Sequence, residues 1–288
     1  MGDYVIYTDS GCDIAPELLA EWGVRFCSLS FSFDEGATAR TEAEMPLAEF
    51  YHKMRQGERA MTSFVSVSAF AAAFEKEAAA GRDVLYLGFS SGLSATYRSA
   101  KLAMEEVIHR YPERTLLAVD SLCASAGLGL LLYLATRKKA QGMDIWALAD
   151  YLVDVRPHIC HWFTVDDLAY LKRGGRLSAT VAFVGNVLGI KPVLHVDDEG
   201  HLVTVCKVRG RKNAITTLAD KLAGTALDLK GGTVYISHAD CHADAVLLRS
   251  ILAERYGATV DVVTDIGPVI GAHAGPGTLA LFFVGNDR

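Results

Sequence analysis

No apolar run in this 288-residue chain reaches the roughly 18 to 20 residues that a membrane-spanning helix needs. The longest, GLGLLLYLA at 127–135, is about half that and reads as a buried helix, so stable membrane insertion is not expected. Basic charge is also scarce. Lys and Arg total 28 against 34 Asp and Glu, the net charge is −6, and no basic cluster is longer than Arg137-Lys138-Lys139. That balance argues against nucleic acid as the main partner. The six cysteines form no C-x-x-C pair and no tight framework, and they read as reduced thiols, several of them buried. There is no G-x-x-x-x-G-K-[ST] stretch to cradle a nucleotide. The opening residues MGDYVIYTDS lack a basic n-region and pass straight into a strand, so no signal peptide is read and a cytoplasmic location is expected.

Apolar residues, by contrast, make up 51% of the chain, ample for a packed core. The length suits one large or two medium domains, and two are expected. Strand-like and helix-like segments alternate from 4 to 157: YVIYTD, a helix at 14–23, VRFCSLSFSF, helices at 46–57 and 67–81, VLYLG, a helix after the serine-rich turn, TLLAVDS, then helices at 123–140 and up to Pro157. This rhythm predicts an α/β domain with a largely parallel sheet. The second half is patterned differently. Helices near 166–173 and 178–188 precede two alternating strands around Asp197-Asp198-Glu199-Gly200, a hairpin signal. A helix at 211–223, strand TVYISH, a helix at 241–256, strand TVDVVTD and strand TLALFFVG follow. The boundary is placed near 157–162, giving domains 1–159 and 160–288.

Three constellations carry chemistry. In VLYLGFSSGLSATYRS (84–99) a strand spills hydroxyls into the first turn of a helix. Gly88-Phe89-Ser90-Ser91-Gly92 fits G-x-S-x-G, the nucleophile elbow, and Ser90, then Asp240 or Asp265, then His273 follows the α/β-hydrolase order. No HGGG-type oxyanion loop lies upstream to complete that site. The same turn can instead hold an anion, because a helix N-terminus offers unpaired N–H groups and Ser90, Ser91, Ser94 and Thr96 add donors. Capping alone accounts for one hydroxyl and not for four.

The second is SHADCHADA (237–245), where His238, Asp240, His242 and Asp244 alternate as metal ligands on a strand would. The helical pattern that follows favours Asp240 as an N-cap with the histidines splayed apart. The pair in HICH (158–161) reads as interdomain surface. The third is GAHAGPG (271–277), where a glycine-rich turn presents His273 for access and lets backbone approach a ligand.

Taken together, TDSGCDI (8–14), MTSFVS (61–66), SSGLSATYRSA (90–100), VDS (119–121), YLKRGGRLS (170–178), VGNVLGIKPVLHV (184–196), GHLVTVCKVRGRKNAI (200–215) and GAHAGPG, in this order, resemble the DegV family of bacterial fatty-acid-binding proteins over nearly the whole chain. The resemblance implies a two-domain α/β protein of the DegV (EDD) fold with a ligand tunnel between the domains. It implies that Thr62 and Ser94 grip the carboxylate of a long-chain fatty acid such as palmitate, with Ser63, Ser91, Arg176 and His273 near the head group. It further implies that Arg209 docks a fatty-acid kinase subunit, which phosphorylates the bound lipid, so that this chain is a carrier and no cofactor or metal is needed. The chain has Phe64-Val65 where the family often has Gln-Pro, and Ala95 where it commonly has Gly. The physics suits such a role. A buried carboxylate needs hydrogen bonds or a cation in place of water. The tail contributes roughly 0.8 kcal/mol for each buried CH₂, before binding costs are subtracted. Phe183, Val184, Val187, Leu188 and Ile190 are candidate lining. Arg173 and Lys172 join Arg176 in a basic patch at the expected mouth.

Overall fold

The computed structural model describes residues 4–33, 39–177, 189–286 and 288. The first half is built on β1 (Tyr4–Asp9), α1 (Pro16–Glu21), β2 (Val24–Cys27), β3 (Ser30–Ser32), α2 (Leu47–Arg55), β4 (Met61–Ser63), α3 (Val67–Ala79), β5 (Asp83–Gly88), α4 (Thr96–Arg110), β6 (Leu116–Asp120), α5 (Ala126–Ala140) and α6 (Ile145–Val155). Its four-stranded sheet, β2-β1-β5-β6, is parallel throughout. A parallel sheet is covered on both faces, which is why β5 is a continuous apolar run with Val84 to Leu87 all fully buried. VRFCSLSFSF does not form one strand. It splits into β2 and β3, and β3 leaves the main sheet to pair antiparallel with β4, setting Phe31 opposite Thr62.

The helices start where polar caps stand. Ser66 accepts from the Ala69 amide at 3.2 Å ahead of α3, and Asp144 accepts from Trp146 and Ala147 ahead of α6. The GLGLLLYLA part of α5 is apolar all round because it packs on the second sheet and α6 inside the main core. Its Gly127 leaves room for His161, whose Nε2 lies 2.1 Å from where a Cβ would stand.

The second half comprises β7 (Ile159–Thr164), α7 (Ala169–Arg173), β8 (Ile190–Val196), β9 (Leu202–Arg209), α8 (Arg211–Thr225), β10 (Val234–His238), α9 (His242–Ile251), β11 (Val262–Asp265), α10 (Pro268–Ala274) and β12 (Leu279–Val284). Its mixed sheet runs β11-β10-β12-β7-β8-β9. β8 and β9 form the expected hairpin. The strand β7 overturns the reading of HICH as surface: His161 is 2% exposed at the middle of the sheet. The helix expected at 178–188 lies outside the described residues. All six cysteines are free thiols, with Cys12, Cys123 and Cys160 buried. Among the described residues no helix is long and apolar enough to cross a membrane.

The TDSGCDI stretch clips the halves together. Asp9, fully buried at the end of β1, accepts from Gly11, Tyr86 and the Phe89 amide. Asp13, in the left-handed region at φ 49°, accepts from the Ser125 hydroxyl at 2.5 Å and from the Gly267 amide just before α10 at 2.9 Å.

Candidate functional site

Between the two sheets lies a cavity of about 980 Å³ of atom-free space, part of it continuous with solvent. Its walls are mostly apolar, with Leu29, Phe89, Phe163, Leu202, Ile270 and Phe282 prominent. Its polar lining includes Thr62, Ser94, Arg176 and His273, with Ser125, His161 and Thr278 also on the walls. An apolar chamber with a few convergent polar groups is the usual form of a small-molecule site.

Each of these groups is held by local structure. Alternation along β4 leaves Met61 and Ser63 exposed and turns the half-buried Thr62 inward. His273 stands in the last turn of α10 and not on a free glycine turn, which corrects the reading of GAHAGPG; the helix ends at Gly275, at φ 82°. The Gly174 backbone presses on its imidazole so closely that a Cβ there would sit 2.2 Å from Nδ1. His273 Nε2 lies 2.8 Å from Thr62 Oγ1. Burial, and secondarily Arg176, lowers the His273 pKa from 6.5 to about 4, so the ring is neutral near pH 7. With its proton on Nε2 the ring donates to Thr62 Oγ1, leaving the threonine hydroxyl hydrogen to serve a ligand. Arg176 is fixed by donating to the Leu93 carbonyl at 3.1 Å and to the Gly174 carbonyl.

The serine-rich turn divides its hydroxyls among separate tasks. Ser90 is fully buried, donates to the Gly200 carbonyl at 2.9 Å and accepts from the Gly92 amide. Ser94 accepts from the Thr96 amide at 3.2 Å, shares a hydrogen bond with Thr96 Oγ1 at 2.9 Å, and lines the cavity. Ser91 is exposed on the outside of the turn and is not part of the lining, whereas Ser63 is. The hydrolase arrangement does not assemble. Ser90 is spent on Gly200, His273 on Thr62, Asp240 on Arg55 at 2.7 Å, and Asp265 lies 3.4 Å from His238.

SHADCHADA is likewise not a metal-ligating strand. β10 ends at His238, Cys241 and not Asp240 is the N-cap of α9, and Asp244 pairs with Arg211. The histidines are not splayed: His238 Nε2 and His242 Nδ1 are 3.2 Å apart. Among the described residues no three His, Cys, Asp or Glu side chains group as metal ligands.

Of the expected lining, Phe183, Val184, Val187 and Leu188 fall outside the described residues, and Ile190 does not line the cavity. Sequence reasoning missed His161. It lines the chamber as a neutral ring, its pKa lowered to about 3 by burial and then by Arg288, with Nδ1 2.8 Å from the Ile159 carbonyl and Nε2 accepting from Ala124. Arg209 is exposed at the end of β9, away from the lining.

The family model for the DegV family of uncharacterised proteins matches residues 3–286. A DegV domain-containing protein of Clostridium perfringens is 37% identical, covering 100% of this chain and 99% of its own. A DegV lipid-binding protein of Thermotoga maritima has a crystal structure 30% identical, covering 99% of both chains at a TM-score of 0.86. A stearic-acid-binding protein of Eubacterium ventriosum is 25% identical, covering 98% of both chains at 0.89. A fatty-acid-binding DegV family protein of Thermus thermophilus is 28% identical, covering 99% of this chain and 100% of its own at 0.86. With the two-sheet fold, the cavity between the domains and these likenesses agreeing over the whole length, the chain belongs to the DegV family.

Proposed function

We propose that this protein binds a long-chain fatty acid, places its tail in the interdomain cavity and presents its carboxylate at Thr62 and Ser94. The observation that carries this reading is the 2.8 Å Thr62–His273 pair in the wall of a mostly apolar chamber. Thr62 and Ser94 supply hydroxyl donors, His273 orients Thr62, and Arg176 offsets the charge, which replaces the water a carboxylate loses on burial. Fatty acids bound by proteins of the same fold support the ligand class.

The chain then acts as a carrier subunit for a kinase. A carboxylate oxygen attacks the terminal phosphorus of a nucleoside triphosphate on the kinase. The bond from that phosphorus to its bridging oxygen breaks, the diphosphate leaves, and an acyl phosphate remains on the carrier. Arg209, exposed and outside the cavity, is the docking residue.

Native mass spectrometry followed by solvent extraction tests the first step. One equivalent of fatty acid on the purified protein, lost in a Thr62→Ala, Ser94→Ala double variant, is the expected result. Ligand-free protein that labels at Ser90 with a fluorophosphonate overturns it. For docking, Arg209→Ala should impair kinase coupling with lipid retention intact; equal loss of both assigns Arg209 to the fold instead.

A further inference from the structure

A second recess adjoins the chamber and shares Thr62, Arg176 and His273 with it. Its other walls include Arg59, from the segment leading into β4, and Tyr170 and Arg173 of α7. Three guanidinium groups therefore border this space, and among the described residues no Asp or Glu lines it. The neighbouring Arg55 is neutralised by Asp240. Among the described residues no carboxylate pairs with the other three. Arg173 lies over the Tyr170 ring at 4.7 Å, and Arg176 donates to the carbonyls of Leu93 and Gly174.

That is more positive charge than a fatty acid needs. A carboxylate brings one negative charge and meets the hydroxyls of Thr62 and Ser94 first. A phosphate group approaches two negative charges near pH 7 and has three outer oxygens, and guanidinium is the side chain best shaped to take them in pairs. Neutral His273 adds no charge of its own, so any extra anion must be met by the arginines. A phosphoryl group joined to a carboxylate oxygen at Thr62 would stand at the wall that the two spaces share.

Resting on the fatty-acid reading above, we infer that this recess is a phosphoryl site, in which Arg59 and Arg173 receive the oxygens of an acyl phosphate while Arg176 serves both spaces. It distinguishes the phosphorylated product from the fatty acid by charge, and it keeps a reactive anhydride on the carrier.

The test compares two ligands of equal chain length, a fatty acid and a non-hydrolysable acyl phosphonate, by competition on wild type, Arg59→Gln, Arg173→Gln and the double variant. The double variant should lose about tenfold or more in phosphonate affinity, as two charge-assisted contacts imply, and change fatty-acid affinity by less than about twofold. Arg59→Lys should fall between. Unchanged phosphonate affinity overturns the site. Equal loss for both ligands also overturns it, by showing a general mouth charge. Arginine-dependent binding of inorganic phosphate to lipid-free protein, with phosphonate affinity insensitive to the arginines, reassigns the recess to free phosphate and overturns the acyl-phosphate assignment. If wild type binds no fatty acid, the underlying reading fails separately.

Discussion

Thr62 and His273 are 211 positions apart in the chain, yet Oγ1 of one and Nε2 of the other are 2.8 Å apart in the wall of the chamber. The contact joins β4 of the first half to α10 of the second, and the hydroxyl that makes it is the one proposed to meet the carboxylate. Thr62→Val keeps the shape and removes the hydroxyl. A hydrogen bond to a charged group is worth about 1.5–3 kcal/mol, so fatty-acid affinity should fall roughly 10- to 100-fold. Displacement of a fluorescent fatty acid reads this directly, and an unaltered affinity would place the carboxylate elsewhere.

Gly174→Ala is expected to disable the site from outside it. The added methyl would stand 2.2 Å from His273 Nδ1, so the ring must move and its partnership with Thr62 breaks. Affinity should drop with the far-ultraviolet circular dichroism unchanged, because Gly174 lies beyond the end of α7 at an ordinary negative φ. Tight binding by this variant would mean that His273 does not orient Thr62.

Two half-buried groups give opposite pH dependences. His273 has its pKa lowered from 6.5 to about 4, so the unfolded chain binds the extra proton between those values, and stability present above pH 6.5 is lost as pH falls toward 4. Glu42, beside Asp13 and Gly267, has its pKa raised by burial from 4.5 to about 7, and its Oε1 has no hydrogen-bond partner. Its stability contribution is full below pH 4.5 and is lost as pH rises through 7. Each effect amounts to at most roughly 3 kcal/mol. Urea midpoints from pH 4.5 to 8 should therefore show His273→Gln removing an acid-side loss and Glu42→Gln removing a loss on the alkaline side. Parallel profiles for wild type and either variant would refute that assignment.

The hairpin tip should be sensitive to one methyl group. A Cβ at Gly92 would lie 2.9 Å from the Glu199 carbonyl oxygen and 3.0 Å from that of Gly200, both backbone atoms. Overpacking of this kind costs about 1–3 kcal/mol, so Gly92→Ala should unfold at lower denaturant and release lipid faster. Ser90→Ala loses the bond to Gly200 and the one accepted from the Gly92 amide, about 1 kcal/mol each, and no fluorophosphonate labelling is expected in the parent protein. Labelling at Ser90 would contradict its burial.

Much of this was legible in the residues. The alternation around Asp197–Gly200 and the apolar GLGLLLYLA run in α5 are local signals, and they survive because the same residues satisfy local and tertiary demands. What was not legible depends on long-range partners. His161 reads as a surface residue until β12 and β8 pair on either side of β7 and bury it. The elbow pattern around Ser90 matched a nucleophile because five residues cannot report that a hairpin 110 positions away would claim the hydroxyl. The Asp240 cap failed for a similar reason: Arg55, from α2, takes its carboxylate.

The ribbon of β3 and β4 carries Thr62 on only three residues per strand, joined to neither large sheet. Two strands alone are marginal in water, so this ribbon depends on its packing against α10. One jaw of the proposed clamp is thus hinged on a weakly cooperative unit, while Ser94 follows the largely buried β5. On the proposed reading, lipid exchange needs only that jaw to swing, at a cost far below global unfolding. The amides of 61–63 should then exchange with deuterium sooner than those of 84–87, and a bound tail should slow them.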